Sequence, residues 1–245
     1  MSITEQHSQE DHGEHQGHYD EGGDHHNSPQ EKHRKEHIAV WLFIFGDVVF
    51  FLLEIFYWFY LRANNTAGMW RGAACTKGAI AVINGAGPTA KNECTDGLGN
   101  AITHIIPKAS AVDTIVIVAL MLISAGIIWF TEVQARQRAS RKTTTPLAVL
   151  ALIFVLAALG WQIYQFQVLP FTTVQGTYAS TFEYLMGSNV AHFFLVLVVG
   201  LGVMNRSRMG KYEDGRWYQV HLARLFWVWI ALSCTVLGLV TIFFA

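Results

Sequence analysis

Three groups of residues in this 245-residue chain could do chemistry. The first is the run HSQEDHGEHQGHYDEGGDHH at residues 7–26, part of a stretch that places eight of the eleven histidines within residues 1–37. Neutral imidazole is a common ligand for Zn, Cu or Ni, and the adjacent His25 and His26 are the candidates for such a role. Glycines separate the clusters and nothing fixes a coordination geometry, so metal capture and a merely solvated, disordered tail both stay open. The second group is polar residues inside apolar surroundings: Asp47 and Glu54, seven apart and so on one helical face; Asn189 and His192, three apart; His221 and Arg224, also three apart. The third is Cys75 and Cys94 in a polar loop, where the 18 intervening residues leave room for a disulfide or for two unpaired thiols. Cys234 stands alone and reads as a small packing residue.

Elements that could position these residues follow from the distribution of charge. The near balance of 17 basic and 18 acidic residues is a sum over unlike parts. Residues 1–36 carry a formal −6 and hold only Met1, Ile3 and Tyr19 as hydrophobic residues, whereas the remaining 209 carry +5 and are about 59% hydrophobic, above the ~45–50% of ordinary soluble domains. A soluble enzyme, a disordered chain and a strongly basic nucleic-acid binder are excluded. The expectation is an all-α, polytopic membrane bundle with a polar tail, 1–36, ahead of a membrane domain, 37–245. Uncharged runs at 114–131, 143–182, 184–205 and 225–245, with 37–61 interrupted only by Asp47 and Glu54, predict five transmembrane helices near 37–61, 109–134, 146–168, 179–205 and 217–245. Lipid offers the backbone no hydrogen-bond partner, which makes helices the fitting choice. Pro146 after Thr145 suits the start of the third. Gly187 and Ala191, four apart, would allow close helix packing in the fourth.

Basic residues cluster before the first helix, between the second and third, and between the fourth and fifth, which predicts a cytoplasmic N-terminus, an external C-terminus and an external 62–108 loop. The first 36 residues have no apolar core, so no cleavable signal is expected. Asp47 would lie ~15 Å into the first helix, near mid-bilayer. A charge at a helix centre costs ~2.5–3.5 kcal/mol, so Asp47 must be neutral, paired or facing a polar crevice. A lipid headgroup, a partner subunit or a proton relay each suits it. For Asn189, His192, His221 and Arg224 the simpler expectation is interhelical hydrogen bonding, or an arginine reaching back to the interface. With only His192, His221 and Cys234 in the spans and His37 at a boundary, no redox metal bound by this chain is expected. Neither a phosphate loop nor an HExxH motif is present.

Three stretches carry a family likeness. LGWQIYQFQVLPFTTVQGTYASTFEYLMGSNVAHFFLVLVVGLG (159–202), WLFIFGDVVFFLLEIFYWFYLR (41–62) and RWYQVHLARLFWVWI (216–230) resemble, in that family's order, segments of subunit III of the haem-copper oxidases, in the shorter five-helix bacterial form. Asp47 stands at the position of the family's intramembrane glutamate, and Gln162, His192, His221 and Trp227 are in register. Gln165 replaces a carboxylate, Asn189 the first histidine and Arg224 an aspartate. The resemblance implies a divergent subunit of a cytochrome c or quinol oxidase, in the bacterial plasma membrane, serving aerobic electron transport. Such a subunit binds no cofactor of its own. It docks on a haem- and copper-bearing subunit I, with a subunit II beside it, holds phospholipid and sustains proton uptake; Asp47, Gln162, Asn189, His192, His221 and Arg224 are then lipid-binding or proton-related positions. Two other classes compete: an accessory subunit of a nitric oxide reductase, and a small metal or ion transporter using the tail to collect metal and Asp47, His192 and Arg224 as a pathway. Deleting residues 1–30 tests the tail: loss of Zn2+ or Cu2+ binding by the purified chain marks a metal-collecting segment, and unchanged binding and activity mark a solvated one.

Overall fold

A computed structural model describes residues 29–64, 70, 108–173, 177–213 and 216–244. The tail candidates His25 and His26, and Cys75 and Cys94 of the loop, lie outside the described residues. Five helices make up the fold: α1 (Pro29–Ala63), α2 (Ala111–Arg136), α3 (Arg141–Gln167), α4 (Thr177–Arg208) and α5 (Tyr218–Phe243). Each is long and apolar enough to cross a membrane, and no strand occurs among the described residues. The expected number, order and type of spans are therefore met. Two boundaries move. The first helix begins at Pro29 and takes in residues 29–36, which the sequence had suggested for the tail. The third begins at Arg141, so Pro146 sits in its second turn and removes one helical hydrogen bond.

The earlier start of α3 has a local cause. Ser140 caps it by accepting from the Lys142 amide (3.3 Å), and Glu213 from the α4–α5 connection accepts from the Arg141 amide (2.6 Å), placing a carboxylate at the positive end of the helix dipole. Upstream, α2 stops in a paired hydrogen-bond lock, Ala139 to Gln134 and Arg138 to Ala135, with Arg138 in the left-handed region (φ 54°). The same lock ends α4, with Lys211 bonding Arg206 and Gly210 bonding Ser207. There the left-handed position belongs to Gly210, φ 70°, which meets the requirement without a Cβ penalty. Burial pushes the Tyr212 phenol well above its usual range, so it stays a donor, to the Val203 carbonyl (3.2 Å).

Helices α2 to α5 form a closed bundle in which α2 packs on α3 and α5, α4 packs on α3 and α5, and α1 lies outside in the groove between α4 and α5. The core includes Ile117, Met121, Ile128, Val155, Phe193 and Trp227. At its centre the Ser124 hydroxyl donates to the Ala151 carbonyl (2.8 Å) and accepts from Trp227 Nε1 (3.0 Å), pinning α2, α3 and α5 together. An aromatic knot of Trp58, Trp70, Phe171, Tyr178 and Phe182 closes the end away from the basic loops. Gly187 and Ala191 are not the close-packing site: Gly187 has nothing within 4 Å of where a Cβ would be, and Ala191 is exposed. Close approach occurs instead at Gly200 and at Gly238.

At Gly200 a Cβ would fall 2.5 Å from Leu152 Cδ2 and 2.7 Å from Cη2 of the rigid Trp227 ring. Gly200→Ala should therefore cost about 1–3 kcal/mol through overpacking, read as a lowered thermal midpoint in detergent. Gly202→Ala, where nothing lies within 4 Å, should leave that midpoint unchanged or raise it slightly.

Candidate functional site

Helix α1 brings Asp47 to the α4–α5 groove, where its carboxylate is held on both sides. His192 Nε2 of α4 lies 2.9 Å from one oxygen, and Trp229 Nε1 of α5 donates to the other at 2.6 Å. The Asp47 and His192 side chains are only 12% and 7% exposed. A buried carboxylate between an indole N–H and an imidazole needs no further ion to be tolerated in an apolar setting, since both of its oxygens are engaged. The other imidazole nitrogen, Nδ1, faces Ser188 at 3.5 Å. Glu54, two turns further along α1, is 1% exposed, and neither of its carboxyl oxygens has a hydrogen-bond partner; Ser188 is its neighbour.

A second cluster forms at the end carrying the basic loops. Glu132 of α2, 2% exposed, accepts from Nε and Nη2 of Arg136 at 2.8 and 2.5 Å, has His221 Nδ1 3.0 Å from the same oxygen, and forms an ion pair with Arg224, whose Nε lies 2.6 Å from its other oxygen. The charge of Arg224 is thus matched by Glu132 of the neighbouring helix, an interhelical ion pair. Its guanidinium also covers the Trp129 ring at 4.7 Å, while that of Arg136 covers Trp217 at 4.4 Å. His221 is stacked on His37 of α1 (6.3 Å, 5°). With two arginines around one carboxylate the cluster carries a formal surplus of one positive charge.

Gln162 and Gln165 lie elsewhere. Gln162 donates to Gln165 (2.7 Å), which donates to Thr114 (3.0 Å), a buried amide string between α3 and α2. Asn189 is buried beside Met186, its amide nitrogen 3.9 Å from the sulfur and its amide oxygen without a partner. Of the residues singled out from the sequence, then, Asp47 and His192 meet, His221 and Arg224 meet around a third residue, and Gln162 and Asn189 stand apart from both. Three participants had not been singled out: Trp229, Ser188 and Glu132. The spacing of Glu132, four residues before Arg136 and just after an 18-residue uncharged run, was the signal for the last. Cys234 is buried and unpaired, in keeping with packing.

Among the described residues no group of three or more His, Cys, Asp or Glu side chains could hold a metal ion. The arrangement can carry protons and bind polar headgroups through its carboxylates and imidazoles. The chain matches no protein-family model, and no curated protein is significantly similar to it.

Glu132→Gln leaves two arginines facing a neutral amide. Truncating one member of a buried ion cluster costs about 3–5 kcal/mol, so this variant should unfold at markedly lower denaturant. In a double-mutant cycle with Arg224→Met, the second substitution should recover part of the loss; strict additivity would mean that the pair does not interact.

Proposed function

We propose that the chain is a non-redox, subunit III-type component of a haem-copper respiratory oxidase in the bacterial plasma membrane, stabilising a haem- and copper-bearing catalytic subunit, retaining lipid and sustaining proton uptake. One observation carries this reading. The likeness to subunit III rests on three separate stretches, 41–62, 159–202 and 216–230, and one polar residue from each, Asp47, His192 and Trp229, meets the others at a single point. A carboxylate held mid-span between an imidazole and an indole suits headgroup or proton chemistry.

Two further features support it. An open, mostly apolar cleft of about 470 Å³ lies between α1, α4 and α5, with Val40, Phe43, Leu195 and Phe226 in its wall and both Glu36 and Arg206 among its lining residues. That combination suits an acyl chain with a polar headgroup carrying both signs of charge. In addition, α1 leaves most of its length uncovered, with Leu42, Phe45, Leu52, Leu53 and Phe56 all more than half exposed. A neighbouring subunit or lipid would cover this face.

Gentle-detergent isolation from the native membrane, followed by haem spectroscopy, tests the proposal. Co-purification of a haem- and copper-bearing subunit is expected. A partner carrying haem and non-haem iron would place the chain with a nitric oxide reductase, and a stable haem-free homo-oligomer would refute both. Asp47→Asn keeps an acceptor oxygen for Trp229, so it should leave assembly intact while impairing sustained turnover or lipid retention. Unchanged turnover and lipid content would remove Asp47 from the functional residues.

A further inference from the structure

The first turns of α1 carry the sequence HRKEH at residues 33–37. It sets two histidines at i and i+4 with a glutamate between them, the H-x-x-E-H order in which one helical turn offers two imidazoles to a single zinc ion. Residues four apart on a helix stand one above the other on the same face. The contacts agree: His33 and His37 both lie against the ring of Tyr218 of α5, with centroids 4.5 and 6.4 Å from it. This stretch also meets water. The His33 side chain is 51% exposed. At 1.5 Å per residue His33 lies about 21 Å before mid-span Asp47 and His37 about 15 Å, which sets the pair at and beyond the edge of a ~30 Å hydrocarbon core.

The pair is held in place before any ligand arrives. The Tyr218 hydroxyl donates to the His33 carbonyl (2.6 Å), and the His37 ring stacks on His221 (6.3 Å, 5°), so the turn that carries both imidazoles is fixed to α5. Glu36 Oε2 lies 3.8 Å from His33 Nδ1. A metal-bound imidazole commonly turns its other nitrogen towards a carboxylate, and this carboxylate adds negative charge beside the cation. Trp41 Nε1 is 3.4 Å from His37 Nε2, a long contact that a metal at that nitrogen would replace.

We propose that His33 and His37 form a binding site for a divalent cation of the imidazole-favouring kind, with Zn2+ as its ligand. The two imidazoles are the protein donors and water completes the shell. Among the described residues no set of three His, Cys, Asp or Glu side chains is placed to hold a metal, and structural zinc centres use four protein ligands. Two donors therefore make a site for reversible capture. Joining successive turns, the bound ion locks the beginning of α1. The site is separate from the Asp47 and Glu132 clusters, and it stands whichever complex the chain serves.

Amide hydrogen exchange of the full-length protein, with and without Zn2+, tests it and reads the site by position, apart from any metal held by the histidines of residues 1–28. Zn2+ should slow exchange of the amides of residues 34–41 several-fold in the wild type and leave them unchanged in His33→Gln and in His37→Gln. Adding Lys35→His to the His37→Gln chain restores the number of histidines in the segment but sets the two about 200° apart round the helix, and it should not restore the effect. Slowing that survives either single substitution, or that Lys35→His brings back, would overturn the shared-face site. Absence of any Zn2+ effect on these amides in the wild type would overturn the binding itself.

Discussion

The contact on which the architecture depends is the one between Asp47 and its two holders. Hydrocarbon tails are as apolar as leucine side chains, so burial gives little drive for one helix to choose another over lipid. Helix α1 shows the consequence: 17% of its most apolar window is buried inside the protein, against 56% for α5. What fixes it is polar. A single carboxylate engages α4 through His192 and α5 through Trp229, and it sets both the rotation of α1 and its depth, since a shift of one residue would carry Asp47 about 100° away from the groove.

The same economy recurs at other levels of the bundle. Ser124 joins α2, α3 and α5 at the centre, and Glu132 joins α2 to α5 near the basic loops, with His37 bringing α1 alongside. Every one of these nodes uses α5. Helix α5 is accordingly the axis around which the others are arranged, and its tryptophans serve as hydrogen-bond arms as well as packing volume: Trp227 for Ser124 and Trp229 for Asp47. An indole suits this use because it fills a large apolar space while carrying one donor that a buried acceptor can satisfy.

Much of the fold was legible in the sequence because the physics behind it is one-dimensional. Span length and the cost of a charge in lipid are read residue by residue, and they gave five helices in the right places. Helix ends were less legible. The start of α3 at Arg141 depends on Glu213, a residue 72 positions away, which no local rule can see. The site was legible in part. Asp47 and His192 announced themselves by their expense, and their meeting is what that expense requires. Trp229 stayed hidden because an apolar-looking residue in an aromatic stretch gives no sign that its N–H is committed. Glu132 stayed hidden because it sits at the edge of its span, where a charge is ordinary; only the bundle reveals that this edge is buried under α5. Gly187 and Gly200 illustrate the same limit, since small residues mark close packing only on the face that is turned inward.

Helix α1 runs for 35 residues, about 52 Å at 1.5 Å per residue, whereas a hydrocarbon core is ~30 Å thick. The rise from Pro29 to Asp47 is about 27 Å, so with Asp47 near the middle of a ~30 Å core the first turns of α1 would project about 12 Å beyond it. These turns are braced where Tyr218 donates to the His33 carbonyl and where His37 stacks on His221. Tied to α5 at both of these points, the N-terminal turns of α1 share the rotation that Asp47 sets further along the same helix.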